Sequence, residues 1–220
     1  MSDSYASVNV TGEEKPSTLD SPPSDAGGLV GDMFQQAKVV DSHSTGTIDG
    51  FEDVGGLVGG SAKGNITESY STADVNGTED IGGLVGINSG SIQTATASGT
   101  VNGSGAAGGV VGLNTPAGTI ATARSSGSVT GNESVGGLVG GNGGLIQNAT
   151  ASESVTGNDS VGGIVGTNVF RFVSDGNETV RAGTIQDTFA VGAVSGNADV
   201  GGLVGSNSPP GTTTTGTVEQ

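Results

Sequence analysis

The chain has 220 residues, 44 of them glycine, with 3% aromatics and neither tryptophan nor cysteine. Large side chains are too few for an ordinary globular core, and disulfides are excluded. A formal charge of −16, from 22 acidic against 6 basic residues, disfavours anionic membrane surfaces and leaves no basic stripe of the kind that binds nucleic acid.

From the N-terminus onward, three columns of residues recur in register. The first is apolar: Met1, Val39, Ile66, Ile92, Ile120, Ile146 and Ile185. Nine residues later comes the second: Val10, Ile48, Val75, Val101, Val129, Val155 and Val194. The third is a glycine pair beginning at Gly27, Gly55, Gly82, Gly108, Gly136, Gly162 and Gly201, at spacings of 28, 27, 26, 28, 26 and 39. Two apolar residues and another glycine follow each pair. Such order is foreign to a disordered chain, and the lack of a three-residue glycine period excludes collagen.

Between the columns, small residues two apart, such as Ala95 and Ala97 or Ala149 and Ala151, share one face of a strand. The segments are short, β-branched and punctuated by Gly and Asn-Gly turns. The prediction is an all-β parallel β-helix (a β-solenoid) of about seven coils of 26–28 residues, with three short strands per coil. Equivalent residues then stack about 4.8 Å apart around a narrow interior, and the usual crossover preference makes the helix right-handed. The glycines are expected to turn corners at positive φ and to let coils approach closely. Which of Leu138 and Val139 faces inward is left open. Asn88, Asn114, Asn142, Asn168 and Asn207, two residues past each motif, are expected to form a stacked-amide corner.

The solenoid is expected to span 1–207 as a single unit. Insertions fall at 11–26, with Pro16, Pro22 and Pro23, and at 169–183, with Phe170, Arg171, Phe172 and Arg181. Residues 208–220 read as a Pro/Thr-rich linker and the start of a further, truncated repeat. Neither end shows a clear cap, so neighbouring repeats of a longer chain are expected to cover the open strand edges.

At 28–31, 56–59, 83–86, 137–140 and 202–205 the sequence resembles the GLUG motif: glycine, leucine, a hydrophobic residue, glycine. At 109–112 and 163–166 valine or isoleucine replaces the leucine. The resemblance reaches nearly all of the chain outside the insertions. It implies a repeat region of the kind found in large cell-surface and secreted proteins, among them adhesin-like proteins and bacterial IgA-specific metallopeptidases. An extracellular or cell-surface location follows from that resemblance, although Met1-Ser-Asp-Ser-Tyr is no signal peptide and no apolar run approaches a membrane span. The peptidase zinc motif His-Glu-x-x-His does not carry over, because His43 is the only histidine.

With one histidine and no cysteine, no catalytic, cofactor-binding or metal-binding residue is predicted. One outward offset collects Tyr5, His43, Tyr70, Arg124 and Phe189, a stripe that could contact glycans; the alternative is bulky side chains merely tolerated outside. Carboxylates gather before the glycine pairs at Asp25, Glu52, Asp53, Glu79, Asp80, Glu133, Asp159 and Asp199. Stacked like charges repel by about 1 kcal/mol in water, and diffuse counterions are expected to relieve them. The calcium-binding nonapeptide of β-rolls is missing. Acidity of this kind suits salty surroundings as well as ordinary solubility. N-glycosylation triplets stand at Asn9, Asn65, Asn76, Asn102, Asn132, Asn148, Asn158 and Asn177. The expected function is a non-catalytic surface repeat scaffold for adhesion, with surface glycans or other surface proteins as partners and neither nucleic acid binding nor membrane insertion. The alternative is a carbohydrate-binding or polysaccharide-cleaving region of a larger enzyme.

Overall fold

Ile92 and Ala95 stand three residues apart, yet both point inward, which a plain strand with alternating faces cannot arrange. The computed structural model describes residues 1–12, 25–174, 177–207 and 217–218, and in it the odd residue is absorbed at Thr94. Thr94 adopts a left-handed φ of 53° within the strand Ser91–Ala97, and Ile92 and Ala95 are buried on either side of it. The same bend recurs two residues after every member of the first column, at Asp3, Asp41, Glu68, Thr122, Asn148 and Asp187, with φ between 46° and 55°. Asp and Asn enter this region readily, whereas a β-branched threonine does so at a cost.

Each coil crosses three parallel sheets. In the coil that starts at Ser91, Ser91–Ala97 and Val101–Asn102 lie in sheet A, Ala107–Gly108 in sheet B and Val111–Asn114 in sheet C. Sheets B and C hold seven strands each. Ile92 pairs with Ile66 on one side and Ile120 on the other, and Val111 with Val85 and Val139. The fold is an all-β parallel solenoid, without helix among the described residues.

Two details are corrected. Five coils run without interruption over 38–167, fewer than the seven expected; of the two flanking coils, the first carries the insertion at 11–26 within it and the last follows the insertion at 169–183. Because bends break the sheet A side, each of the five has four or five strand segments and not three. The insertion at 169–183 forms a separate antiparallel hairpin, Phe170–Ser174 with Asn177–Arg181. Most of the insertion at 11–26, and the linker at 208–216, lie outside the described residues. Thr217 and Val218 pair with Thr184 and Ile185.

The motif glycines do not work through positive φ, as the sequence led us to expect. Among the described glycines only Gly46 (115°) and Gly192 (140°) lie there, and neither belongs to the motif. Space is what the motif requires. A Cβ on Gly83 would collide with the carbonyl oxygen of Gly109 in the next coil and press on Ala97 Cβ at 3.1 Å. Gly137 meets the oxygen of Gly163 and, at 3.0 Å, Ala151. The second glycines of the first six pairs thus rest on the small column Ser44, Ser71, Ala97, Ser125, Ala151 and Ala190, while Gly202 in the last coil meets nothing. The wall is pinched against sheet A, and this explains why both sides of the contact are small.

The pinch separates two apolar clusters. One joins the isoleucine column to pairs such as Leu84 and Val85; the other joins Val75, Ile81, Val101 and Val135. Leu138 and Val139 are both fully buried, as are their equivalents in the neighbouring coils. A corner falls between the two residues. The N–H groups of Leu84 and Val85 both donate to the Val110 oxygen, at 3.0 and 2.9 Å. Each buried Val, Leu or Ile contributes about 1.5–3 kcal/mol, and repetition along the axis supplies what individual residues lack in size.

The asparagine corner is present. Asn88 Nδ2 donates to Asn114 Oδ1 (2.9 Å), Asn114 to Asn142, Asn142 to Asn168 and Asn168 to Asn207 (each 2.8 Å). The first four of these residues are fully buried. Ser61 occupies the preceding rung, and its buried hydroxyl has no partner.

Candidate functional site

The outer face of sheet A is where side chains depart from repetition. Strand register pairs Tyr5 with His43, His43 with Tyr70, Tyr70 with Thr96, Thr96 with Arg124, Arg124 with Thr150 and Thr150 with Phe189. The five stripe residues therefore share one column. Only the first three touch as a ring stack. Tyr5 and His43 have centroids 5.5 Å apart and planes 12° from parallel; His43 and Tyr70 are 4.7 Å apart at 3°. Threonines at 96 and 150 separate Arg124 and Phe189 from the stack and from each other.

Rung spacing of about 4.8 Å leaves a flat ring no alternative to lying parallel on its neighbour. Both faces of His43 are consequently covered, and the stack presents ring edges outward. Tyr5 is 72% exposed and Tyr70 42%. Beside the rings, the left-handed bend carries Asp3, Asp41 and Glu68, all exposed. Two residues past the rings stand Ser7, Thr45 and Thr72, exposed or half-buried. Three successive coils thus offer a carboxylate, a ring edge and a hydroxyl in the same order. Within the described residues no hydrogen bond engages these side chains.

A second cluster lies on the outer face of sheet C. Asp25, Asp32, Phe34, Asp53, Ala62 and Ile87 line a shallow groove over Gly60. Gly60 leaves room for it: a Cβ there would lie 2.9 Å from both Asp25 Oδ2 and Asp32 Oδ1. Sequence reasoning passed over Asp32 and Phe34; their signal is that Asp32 is the one charged residue in a column of Gly60, Ile87, Leu113, Gly141, Thr167 and Ser206, and that Phe34 pairs with the small Ala62. The partly buried members differ from solvated carboxylates. Burial, and then the charge of Asp32, raises Asp25 to about 6. Burial followed by Asp80, Asp25 and Glu52 raises Asp53 to about 8. Burial followed by Glu79 raises Asp80 to about 6. Asp25 Oδ1 is buried without a partner. Burial thus favours the protonated carboxyl at all three positions, most strongly at Asp53. Asp74 shows the reverse: the backbone N–H and the hydroxyl of Thr100 donate to it at 2.9 and 2.7 Å and lower it.

No group of three or more His, Cys, Asp or Glu side chains among the described residues is placed to hold a metal ion. No helix there is long and apolar enough to cross a membrane. The glycosylation triplets divide by geometry. Asn65, Asn132 and Asn148 are exposed, with side-chain amides that make no hydrogen bond among the described residues. Asn76 and Asn102 belong to an outer ladder, Asn102 to Asn76 at 3.0 Å and Asn76 to Asp49 at 2.8 Å. Asn9 accepts from the Thr47 N–H and Asn158 from Asn197. Asn177 lies in the hairpin, with its side chain outside the described set.

A family model, the GLUG motif, matches residues 52–76, 77–102 and 131–156. No curated protein and no solved structure matches the chain.

Proposed function

We propose that this GLUG-repeat protein is a non-catalytic scaffold, exposed at the cell surface or secreted, that displays sheet A for adhesion to surface glycans or other surface proteins. One observation carries the reading. Interior columns keep their residue types from coil to coil, whereas the outer face of sheet A varies and gathers rings and unpaired polar groups along 5–72. Solenoids characteristically use such an extended face for binding, and exposed aromatics without a structural duty are typical of recognition surfaces.

Polysaccharide cleavage is the second reading, favoured by the raised carboxyls of Asp25 and Asp53. Glycosidases hold their two carboxyls about 5–9.5 Å apart across the scissile bond. Asp25 and Asp53 instead lie within hydrogen-bonding reach of each other, which leaves no place for a sugar between them.

The test is direct. Fluorescently labelled protein is applied to intact cells and to a panel of acidic and neutral polysaccharides, with reducing-end release followed in parallel. Saturable cell binding without release is expected. Release abolished by Asp53→Asn would overturn the scaffold reading in favour of the enzyme.

A further inference from the structure

We infer that the Tyr5–His43–Tyr70 face binds an extended, uncharged polysaccharide whose chain runs along the solenoid axis, one sugar unit per rung. The inference rests on the scaffold reading above and names its partner class.

Spacing comes first. Ring centroids recur at 5.5 and 4.7 Å, and the carboxylates and hydroxyls beside them repeat with the same rungs. An extended peptide advances about 3.3–3.4 Å per residue, and a strand of B-form DNA about 3.4 Å per nucleotide. Either would slip by roughly one residue over three rungs and could not keep one-to-one contacts. Flat, extended β-1,4 glycans advance by about one rung per hydroxyl-bearing ring, so each rung meets one unit, with successive units turned over and the same sugar edge returning at every second rung.

Charge comes second. Asp3, Asp41 and Glu68 flank the rings, and the chain carries −16 overall. A polyanion is repelled at each step. A neutral sugar places hydroxyl donors against those carboxylates, the kind of charge-assisted hydrogen bond that is stronger than a neutral one. Tyr5 and Tyr70 hydroxyls and the His43 ring nitrogens offer both donors and acceptors.

Orientation comes third. His43 is covered on both faces and each tyrosine on one, so recognition along the stack uses ring edges together with Ser7, Thr45 and Thr72. Edge recognition by hydrogen bonds makes binding depend on the number of sugar units that lie on the stack. Phe189, isolated at the other end of the column and without a hydroxyl, takes no part.

Soluble cello-oligosaccharides and N-acetylated chito-oligosaccharides of two to six units are titrated into the whole protein by calorimetry, with hyaluronan as the anionic control. Affinity is expected to rise with length up to three or four units and then level off, with hyaluronan inert. His43→Ala and Tyr70→Ala are each expected to weaken binding at least tenfold, and Phe189→Ala to leave it unchanged. All three side chains point outward, so circular dichroism checks that the fold is retained. Absence of binding to every neutral oligosaccharide, or equal binding by His43→Ala, overturns the inference. Cell binding that persists alongside either result would sink the glycan assignment while leaving the scaffold reading intact; loss of both would remove the two together.

Discussion

Replacing Asn114 by alanine tests whether the buried amide ladder holds the coils together. Asn114 accepts from Asn88 at 2.9 Å and donates to Asn142 at 2.8 Å, fully buried. Two neutral hydrogen bonds contribute about 1 kcal/mol each, and a buried amide left without its acceptor costs about 1–3 kcal/mol more. The expected loss is therefore about 3–5 kcal/mol, or roughly 6–20 °C in melting temperature for a chain of this length. Asn102→Ala is the matched control. Asn102 makes the same amide-to-amide bond, at 3.0 Å, on the exposed side of the wall, where water replaces a lost partner, and it should cost under about 0.5 kcal/mol. Urea unfolding followed by the far-ultraviolet β signal measures both. Equal losses for the two variants, or a loss below about 1 kcal/mol for Asn114→Ala, would refute the assignment of stability to burial of the ladder.

Three further outcomes follow from the geometry. Gly83→Ala pushes a methyl into the Gly109 carbonyl, a backbone atom held by its own rung, and should destabilise by roughly 3 kcal/mol or prevent folding; thermal melts read it, and a neutral result would contradict the pinched wall. Thr122→Gly removes a β-branched residue from a left-handed φ of 55° and should stabilise by up to about 1 kcal/mol, seen as a higher urea midpoint. Asp25, Asp53 and Asp80 have folded values above their ordinary one, so the stability they contribute is fully present below about pH 4 and is lost as pH rises through about 6 to 8. The rise of Asp53 alone would amount to about 6 kcal/mol at about 1.4 kcal/mol per pH unit; water on one side of the groove screens it, so Asp53→Asn should add roughly 2–3 kcal/mol at pH 8 and little at pH 4. A stability that climbs between pH 4 and 8, measured by urea titration at each pH, would show that these carboxyls are not withdrawn from water.

What could be read from the sequence and what could not divide along a physical line. Ile92, Val101 and Asn114 were legible because a stacked fold repeats every constraint: a column that must be buried in one coil must be buried in all, and seven copies average away accidents. The pinch at Gly83 and Ala97 was only half legible. Glycine advertises itself, but two different demands, positive φ and empty space, both call for it, and only the contact with Ala97 and the Gly109 carbonyl separates them. The bend at Thr94 was hidden for the opposite reason, since residues as unlike as Asp41, Glu68 and Asn148 fill one left-handed position. There the backbone is set by the burial of both neighbours and not by the residue's own preference. The candidate site belongs to the same class of hidden feature. Tyr5, His43 and Tyr70 could be placed in one column from the repeat alone, but that both faces of His43 are closed to ligands follows from the rung spacing. A repeat therefore discloses its interior through what stays constant, and its function through the few outward positions that change.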